Sequence, residues 1–292
     1  MKSSELGINT ICTHIGEIED QQFKGAISPL YMSTSYAYEN VDVKRYPRYF
    51  NTPNQEALCK KIAMLEKCEA ALIFGSGMAA ISTSMLAFLQ KGDHVVLQQT
   101  LYGGTYNFVV EEFDKFGIEY SFAEGFSEED FSEKIQENTK VIFVETPSNP
   151  LMRITDLEMV SRIAKSRGIT TMIDNTFASP INQTPADFGI DIMIHSATKY
   201  MGGHSDILAG AVAASNAHCS AGDMASSPGP GVIEKAISLF KGGDEATYRK
   251  NIAAIGSPAT AAADCTTRLV TTSLSGSMSV EFSGQITRSG SC

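Results

Sequence analysis

Residues 70–98 read AALIFGSGMAAISTSMLAFLQKGDHVVLQ, and this stretch decides the fold class. Two short apolar runs, 70–74 and 94–98, are bounded by Gly and Asp and have the length and composition of buried strands. Between them, 78–89 is long enough for a helix and is entered through Gly75-Ser76-Gly77. Strand, glycine turn, helix and strand form the unit of an α/β layer with a mostly parallel sheet.

The alternation extends in both directions, from about Asn54 to Ser215. Upstream, 56–67 reads as a helix. Downstream, 105–116 reads as a helix with the apolar set Phe108, Val109 and Phe113. Residues 140–145 and 170–174 read as strands flanking a helix at 156–167, and 191–195 and 210–214 as two more strands. Residues 1–53 do not alternate: 26–38 is extended and aromatic, and 43–54 is a loop with Pro47 and Pro53, which predicts an arm reaching another subunit. Beyond 215 the pattern deteriorates through a Gly/Pro/Ser-rich stretch at 222–231 and a helix-like piece at 232–240. It ends in a Ser/Thr/Gly tail too poor in apolar surface to offset the entropy of ordering. The expected organisation is an arm over 1–53, an α/β domain over 54–215 and an incomplete, divergent C-terminal region over 216–292.

The 292 residues carry 23 Lys and Arg against 33 Asp and Glu, a formal net charge of −10. That balance lacks the basic face with which proteins meet nucleic-acid or membrane phosphates, so the expected partner is a small molecule, with no nucleic acid and no membrane. Cys12, Cys59, Cys68, Cys219, Cys265 and Cys292 show no Cys-x-x-Cys pair and no Cys/His ligand spacing, which predicts reduced thiols and no metal site. The opening MKSSELGINT lacks the apolar core of a signal peptide, and no uninterrupted apolar run approaches membrane-spanning length. The cytoplasm is the expected compartment.

In parallel α/β sheets ligands gather at the carboxyl ends of the strands, and five strand ends here carry polar residues of complementary chemistry. Gly75 to Met78 lies where a helix begins, and backbone N–H groups there bind anions; a plain strand-to-helix turn has the same sequence. The absence of G-x-x-x-x-G-K-[ST] and G-x-G-x-x-G argues against a P-loop and a dinucleotide site. Tyr102, before Gly103-Gly104, is either a core tyrosine or a ring presented to a flat cofactor. Asp174 ends an apolar strand, where a carboxylate needs a partner: a protonated pyridine nitrogen or the N–H groups of the next turn. Lys199 lies in HSATKYMGGHSD, residues 195–206, beside the hydroxyls of Ser196 and Thr198. Most lysines are solvated surface residues, but one so placed also reads as the Schiff-base lysine of a pyridoxal phosphate (PLP) enzyme.

FGSGMAA (74–80), LYGGTYN (101–107), VETPSNP (144–150), DNTFASP (174–180) and HSATKYMGGHSD resemble, in order and spacing, motifs of the PLP-dependent Cys/Met metabolism (transsulfuration) family. That family includes cystathionine γ-lyases, γ-synthases and β-lyases, methionine γ-lyases and O-acetylhomoserine sulfhydrylases. The resemblance runs from about His14 to Ser215. It implies the fold-type I aminotransferase architecture, a homotetramer built as a dimer of dimers with sites shared between subunits, and pyridoxal 5'-phosphate in Schiff-base linkage to Lys199.

Carried over position by position, the resemblance gives Gly77 and Met78 phosphate contacts through N–H groups, with hydroxyls from Ser196 and Thr198. Tyr102 becomes the stacking ring and, with Lys199, a catalytic residue; Asp174 becomes the pyridinium partner. Asn149 contacts the cofactor hydroxyl or the substrate carboxylate, and Glu145 and Thr176 give weaker support. Tyr46 and Arg48, in YPRYFNTPN (46–54), match the family's Y-x-R arm, which grips the phosphate in a neighbouring subunit; a planar, permanently charged guanidinium suits that task. Gly104 stands where methionine γ-lyases usually carry cysteine.

Family members continue into a smaller C-terminal domain that supplies an arginine for the substrate carboxylate. Residues 253–264 still resemble the approach to that domain and 266–292 depart from it, so the small domain is expected to be largely missing. The implied function is PLP-dependent sulfur amino-acid metabolism: carbon–sulfur lysis or γ-replacement on cystathionine or an activated homoserine. The motifs do not separate lyase from synthase. The alternative is a PLP-binding chain with little or no turnover.

Overall fold

The computed structural model describes residues 6–214, and the expectations for 216–292 lie outside the described residues. Seven strands form one sheet: β1 (Ala70–Phe74), β2 (His94–Gln98), β3 (Glu119–Ala123), β4 (Thr139–Glu145), β5 (Thr170–Asp174), β6 (Ile192–His195) and β7 (Gly210–Ala214). Their order is β1-β7-β6-β5-β4-β2-β3, with β7 antiparallel to both neighbours and the other pairs parallel. β1, β2, β4, β5 and β6 therefore run the same way. The five loops that carry the polar motifs leave the sheet along one edge.

Among the described residues there are seven α-helices: α1 (Ile8–His14), α2 (Pro53–Leu65), α3 (Gly77–Phe88), α4 (Gly103–Phe116), α5 (Glu128–Ser132), α6 (Leu157–Ser166) and α7 (Ser179–Asn182). β4 shows why both faces are covered, because successive side chains point to opposite sides. Val141 and Phe143 join Ile81, Met85, Val109 and Phe113 from α3 and α4 in one core. Ile142 and Val144 join Ile62, Val160 and Ile163 from α2 and α6 in the other.

Local chemistry sets the helix starts. Ser76 caps α3 by accepting from the Ala79 N–H at 3.0 Å, and Asp156 caps α6 by accepting from the Met159 N–H at 3.1 Å. Thr52 and Gln55 form a capping box with Pro53 at the first turn, so α2 begins inside the segment expected to be loop at 43–54. Similarly, α4 starts at Gly103 rather than at 105. Four further elements were not expected from the pattern: α1, the edge strand β3 and the short helices α5 and α7. Gly16, at φ +81°, approaches α2 so closely that a Cβ would lie 2.2 Å from the Ala57 carbonyl oxygen. With buried Ile11 and the Glu17–Lys61 ion pair at 3.1 Å, this places the start of the N-terminal segment against its own α2. Beyond it, Phe23, Ile27, Leu30 and Met32 are 73–86% exposed.

Candidate functional site

Ser196 and Gly77 meet at the edge where the loops converge. A Cβ on Gly77 would lie 2.6 Å from the Ser196 Cβ and 2.9 Å from its Cα, so only glycine lets the first turn of α3 sit against the lysine loop. Gly77 and Met78 occupy the first turn of α3, where N–H groups have no intrahelical acceptor. Gly210, at the start of β7, is required for the same closure: its Cβ would lie 2.1 Å from the Ser76 carbonyl oxygen.

Asp174 and Thr176 complete this side of the site. Asp174 is buried, and its Oδ1 accepts from the Thr176 N–H at 3.0 Å and the Thr176 hydroxyl at 2.5 Å. The Thr176 Oγ1 in turn accepts from the Ser196 N–H at 2.8 Å. Burial pushes the Asp174 carboxyl upward, opposed by the Thr176 hydrogen bonds and by His195. Asp174 thus engages the following turn, one of the two roles open to it, through a single oxygen.

Glu145 organises the other side. It is Asp174's partner in register across β4 and β5. Its Oε2 accepts from the Tyr102 N–H at 2.7 Å and its Oε1 from the Asn149 N–H at 2.6 Å, so one carboxylate joins the β2–α4 and β4–α6 loops. Burial, and then the neighbouring Asp174, push Glu145 up to about 8. Tyr102 is 45% exposed and so is not a core residue. A Cβ on Gly104 would lie 2.6 Å from the Tyr102 ring and 3.2 Å from the Met78 Sδ, which places Gly104, Tyr102 and Met78 together.

Lys199 is exposed at the rim, its backbone held in a turn by bonds to Ser196 and Gly203. The Thr198 Oγ1 lies 3.0 Å from both the carbonyl oxygen and the nitrogen of Ala209. It closes the 198–209 loop, and its one proton can go to that carbonyl or to an anion. Tyr46 precedes a 3₁₀ turn at Pro47–Tyr49 and Arg48 lies within it, both exposed, with the guanidinium 5.4 Å from the Tyr46 ring centroid. Among the described residues no group of three or more His, Cys, Asp or Glu is arranged to hold a metal ion, and no helix is long and apolar enough to cross a membrane.

Sequence patterns gave no sign of Glu66, the C-cap of α2, whose carboxyl bonds the His195 Nε2 beneath the site. A glutamate at a helix end ordinarily reads as solvated, and only the sheet order brings it under β6.

The family model for Cys/Met metabolism PLP-dependent enzymes matches residues 9–256. The chain belongs to this family. Over 208 residues it is 42% identical to a cystathionine gamma-synthase/O-acetylhomoserine (thiol)-lyase of Bacillus subtilis, covering 70% of this chain and 55% of the relative. A cystathionine beta-lyase MetC of the same organism is 44% identical over 193 residues, covering 65% and 49%. Among solved structures, cystathionine gamma-lyase from Lactobacillus plantarum, complexed with L-serine, superposes with a TM-score of 0.72 at 32% identity, covering 81% of this chain and 58% of that one. The metY protein from Campylobacter jejuni, solved with N'-pyridoxyl-lysine-5'-monophosphate, superposes at 0.67 with 30% identity, covering 70% and 53%. The chain spans about half the length of these curated relatives.

Pyridoxal phosphate is the cofactor of this family, and the residues at the sheet edge fit it. The Gly77–Ser196 approach, too close for any side chain at 77, sets the first-turn N–H groups of α3 beside the Ser196 hydroxyl, a donor set that suits a phosphate. A buried carboxyl stands two residues from Thr176, which hydrogen-bonds to the loop that bears Lys199.

Proposed function

We propose that this chain holds pyridoxal phosphate covalently on Lys199 and carries out carbon–sulfur lysis or γ-replacement on a sulfur amino acid such as cystathionine or an activated homoserine. The observation that carries this reading is the line from the Ser196 N–H through the Thr176 hydroxyl to the Asp174 Oδ1, which fixes a buried acid relative to the lysine loop. When bound, the cofactor supplies an electron sink for a substrate carbanion.

The chain's own groups divide the remaining work. Asp174 holds a proton on the ring nitrogen, because its ionised form, buried among apolar strand residues, needs a cationic partner. Gly77, Met78, Ser196 and Thr198 bind the phosphate. Tyr102 would stack on the ring of the bound cofactor and pass a proton toward the leaving group, while Asn149 would orient the substrate. Lys199 moves protons at the substrate carbons. Exposed Tyr46 and Arg48 reach the phosphate of a second subunit, in a cytoplasmic dimer of dimers.

The decisive experiment reconstitutes the 292-residue chain with pyridoxal phosphate, reduces it with borohydride and maps the label. Labelling of Lys199 that disappears in Lys199→Ala is the expected result. Cofactor absorbance unaffected by that substitution sinks the assignment. Incubation with cystathionine, and separately with an activated homoserine plus cysteine, then separates elimination from replacement. Cofactor uptake with turnover of neither is the outcome expected of a chain that binds without catalysis.

A further inference from the structure

Beneath the rim, one buried carboxyl touches the two strand ends that carry the proposed cofactor contacts. Glu66 is fully buried, as are His195 and Asn175. Its Oε1 bonds the His195 Nε2 and accepts from the Asn175 Nδ2 at 3.0 Å. His195 ends β6 immediately before Ser196, and Asn175 lies between Asp174 and Thr176 at the end of β5. Asn175 is held further by Gln183, through the Gln183 carbonyl at 3.0 Å and the Gln183 Nε2 at 2.8 Å, and its N–H donates to the Ile194 carbonyl at 2.8 Å. The other Glu66 oxygen, Oε2, is buried with no hydrogen-bond partner.

That arrangement is costly for stability alone, since a buried carboxyl with one bare oxygen loses hydration that nothing replaces. An apolar residue would pack the same space without that loss. What the carboxyl does provide is a shared hydrogen-bond partner for two side chains at the ends of different strands.

We propose that Glu66 is a positioning residue for the cofactor site, fixing the Asp174–Thr176 strand end and the Ser196–Lys199 loop against each other through Asn175 and His195. This rests on the function proposed above. Glu66 touches neither cofactor nor substrate; it acts from below, as outer-shell partners do when they orient the groups in contact.

The test compares the wild-type chain, Glu66→Gln and the double variant Glu66→Leu/His195→Leu, each as the full 292-residue protein. The readouts are affinity for pyridoxal phosphate by absorbance titration, the position of the visible band, and the thermal midpoint of the cofactor-free chain. Glu66→Gln keeps an oxygen toward both side chains and puts an amide nitrogen where Oε2 has no partner, so affinity and band should match wild type. The double variant removes the pair and fills its space with apolar atoms. Its thermal midpoint should hold, while affinity falls roughly ten- to a hundredfold and the band shifts.

Wild-type affinity in the double variant overturns the proposal. So does a loss of affinity that merely accompanies a collapse of the thermal midpoint, or a Glu66→Gln chain as impaired as the double variant. A wild-type chain that forms no visible band overturns the cofactor reading itself, a failure distinct from one confined to the variants.

Discussion

Glu145 and Asp174 are partners in register on the adjacent parallel strands β4 and β5, and both carboxyls are buried at the edge where the site lies. Two acids so placed cannot both ionise cheaply. Both are pushed upward, Glu145 to about 8 even though the Tyr102 and Asn149 N–H groups favour its charged form. A cation bound beside Asp174 relieves the pair, so the apposition leaves the protein complementary to positive charge at this point.

The pair sets a pH dependence. Glu145 lies above its ordinary 4.5 in the folded chain, so folding favours the protonated acid. The associated stabilisation is complete below that value and is lost as pH rises through about 8. Asp174, also raised, acts in the same direction. His94, held neutral by burial, acts oppositely, losing stability as pH falls below 6.5. The comparison with Glu145→Gln therefore isolates the effect: the thermal midpoint of the cofactor-free chain should fall between pH ~5 and ~8, and the variant should flatten that fall. Parallel profiles would place the dependence in other groups.

Gly77→Ala should weaken both fold and cofactor binding. The added methyl meets the Ser196 Cβ at 2.6 Å and its Cα at 2.9 Å, so the start of α3 must move away from the lysine loop. Overpacking of this kind costs about 1–3 kcal/mol. Urea unfolding and absorbance titration with pyridoxal phosphate should show both losses; intact affinity would remove Gly77 from the phosphate contacts.

Thr176→Val tests the line between Ser196 and Asp174. Valine keeps the shape but leaves the Ser196 N–H without its acceptor, at a cost of about 1–3 kcal/mol where that group is buried. Thr176→Ser should restore most of the loss, because the hydroxyl is what both neighbours use. Chemical denaturation of the three chains reads this directly, and equal stability of the valine and serine variants would contradict it.

Gly104→Cys should act on the site and spare the fold. The new Cβ would meet the Tyr102 ring at 2.6 Å, but that ring is 45% exposed and can swing outward. The free energy of unfolding should change little, within roughly 0.5 kcal/mol of wild type, because the exposed ring gives way and the backbone does not. The absorbance of the bound cofactor should change because the stacking ring has moved. A chain altered in stability but not in spectrum would show that Tyr102 lies away from the cofactor.

The strands most legible in the sequence are those buried on both faces. Val95, Val96 and Leu97 in β2, and Met172 and Ile173 in β5, form unbroken apolar runs closed by turn residues, and their bounds match the pattern. β3 was not legible because it is an edge strand: Glu119-Tyr120-Ser121-Phe122-Ala123 mixes polar and apolar residues and buries only its last. α1 was missed because a seven-residue helix with a single buried residue, Ile11, leaves almost no periodic signal.

The sequence alone determined the α/β class, the family and the polar residues at five strand ends, since each depends on local composition or a short motif. Tertiary structure decided which of those residues meet. Strand order places β5 between β4 and β6, which sets Glu145 beside Asp174 and lets Thr176 reach Ser196. It also brings Glu66, 129 positions before His195 in the chain, beneath the same edge. Such contacts follow from the parallel crossovers that pack distant segments together, and no local pattern of residues encodes them.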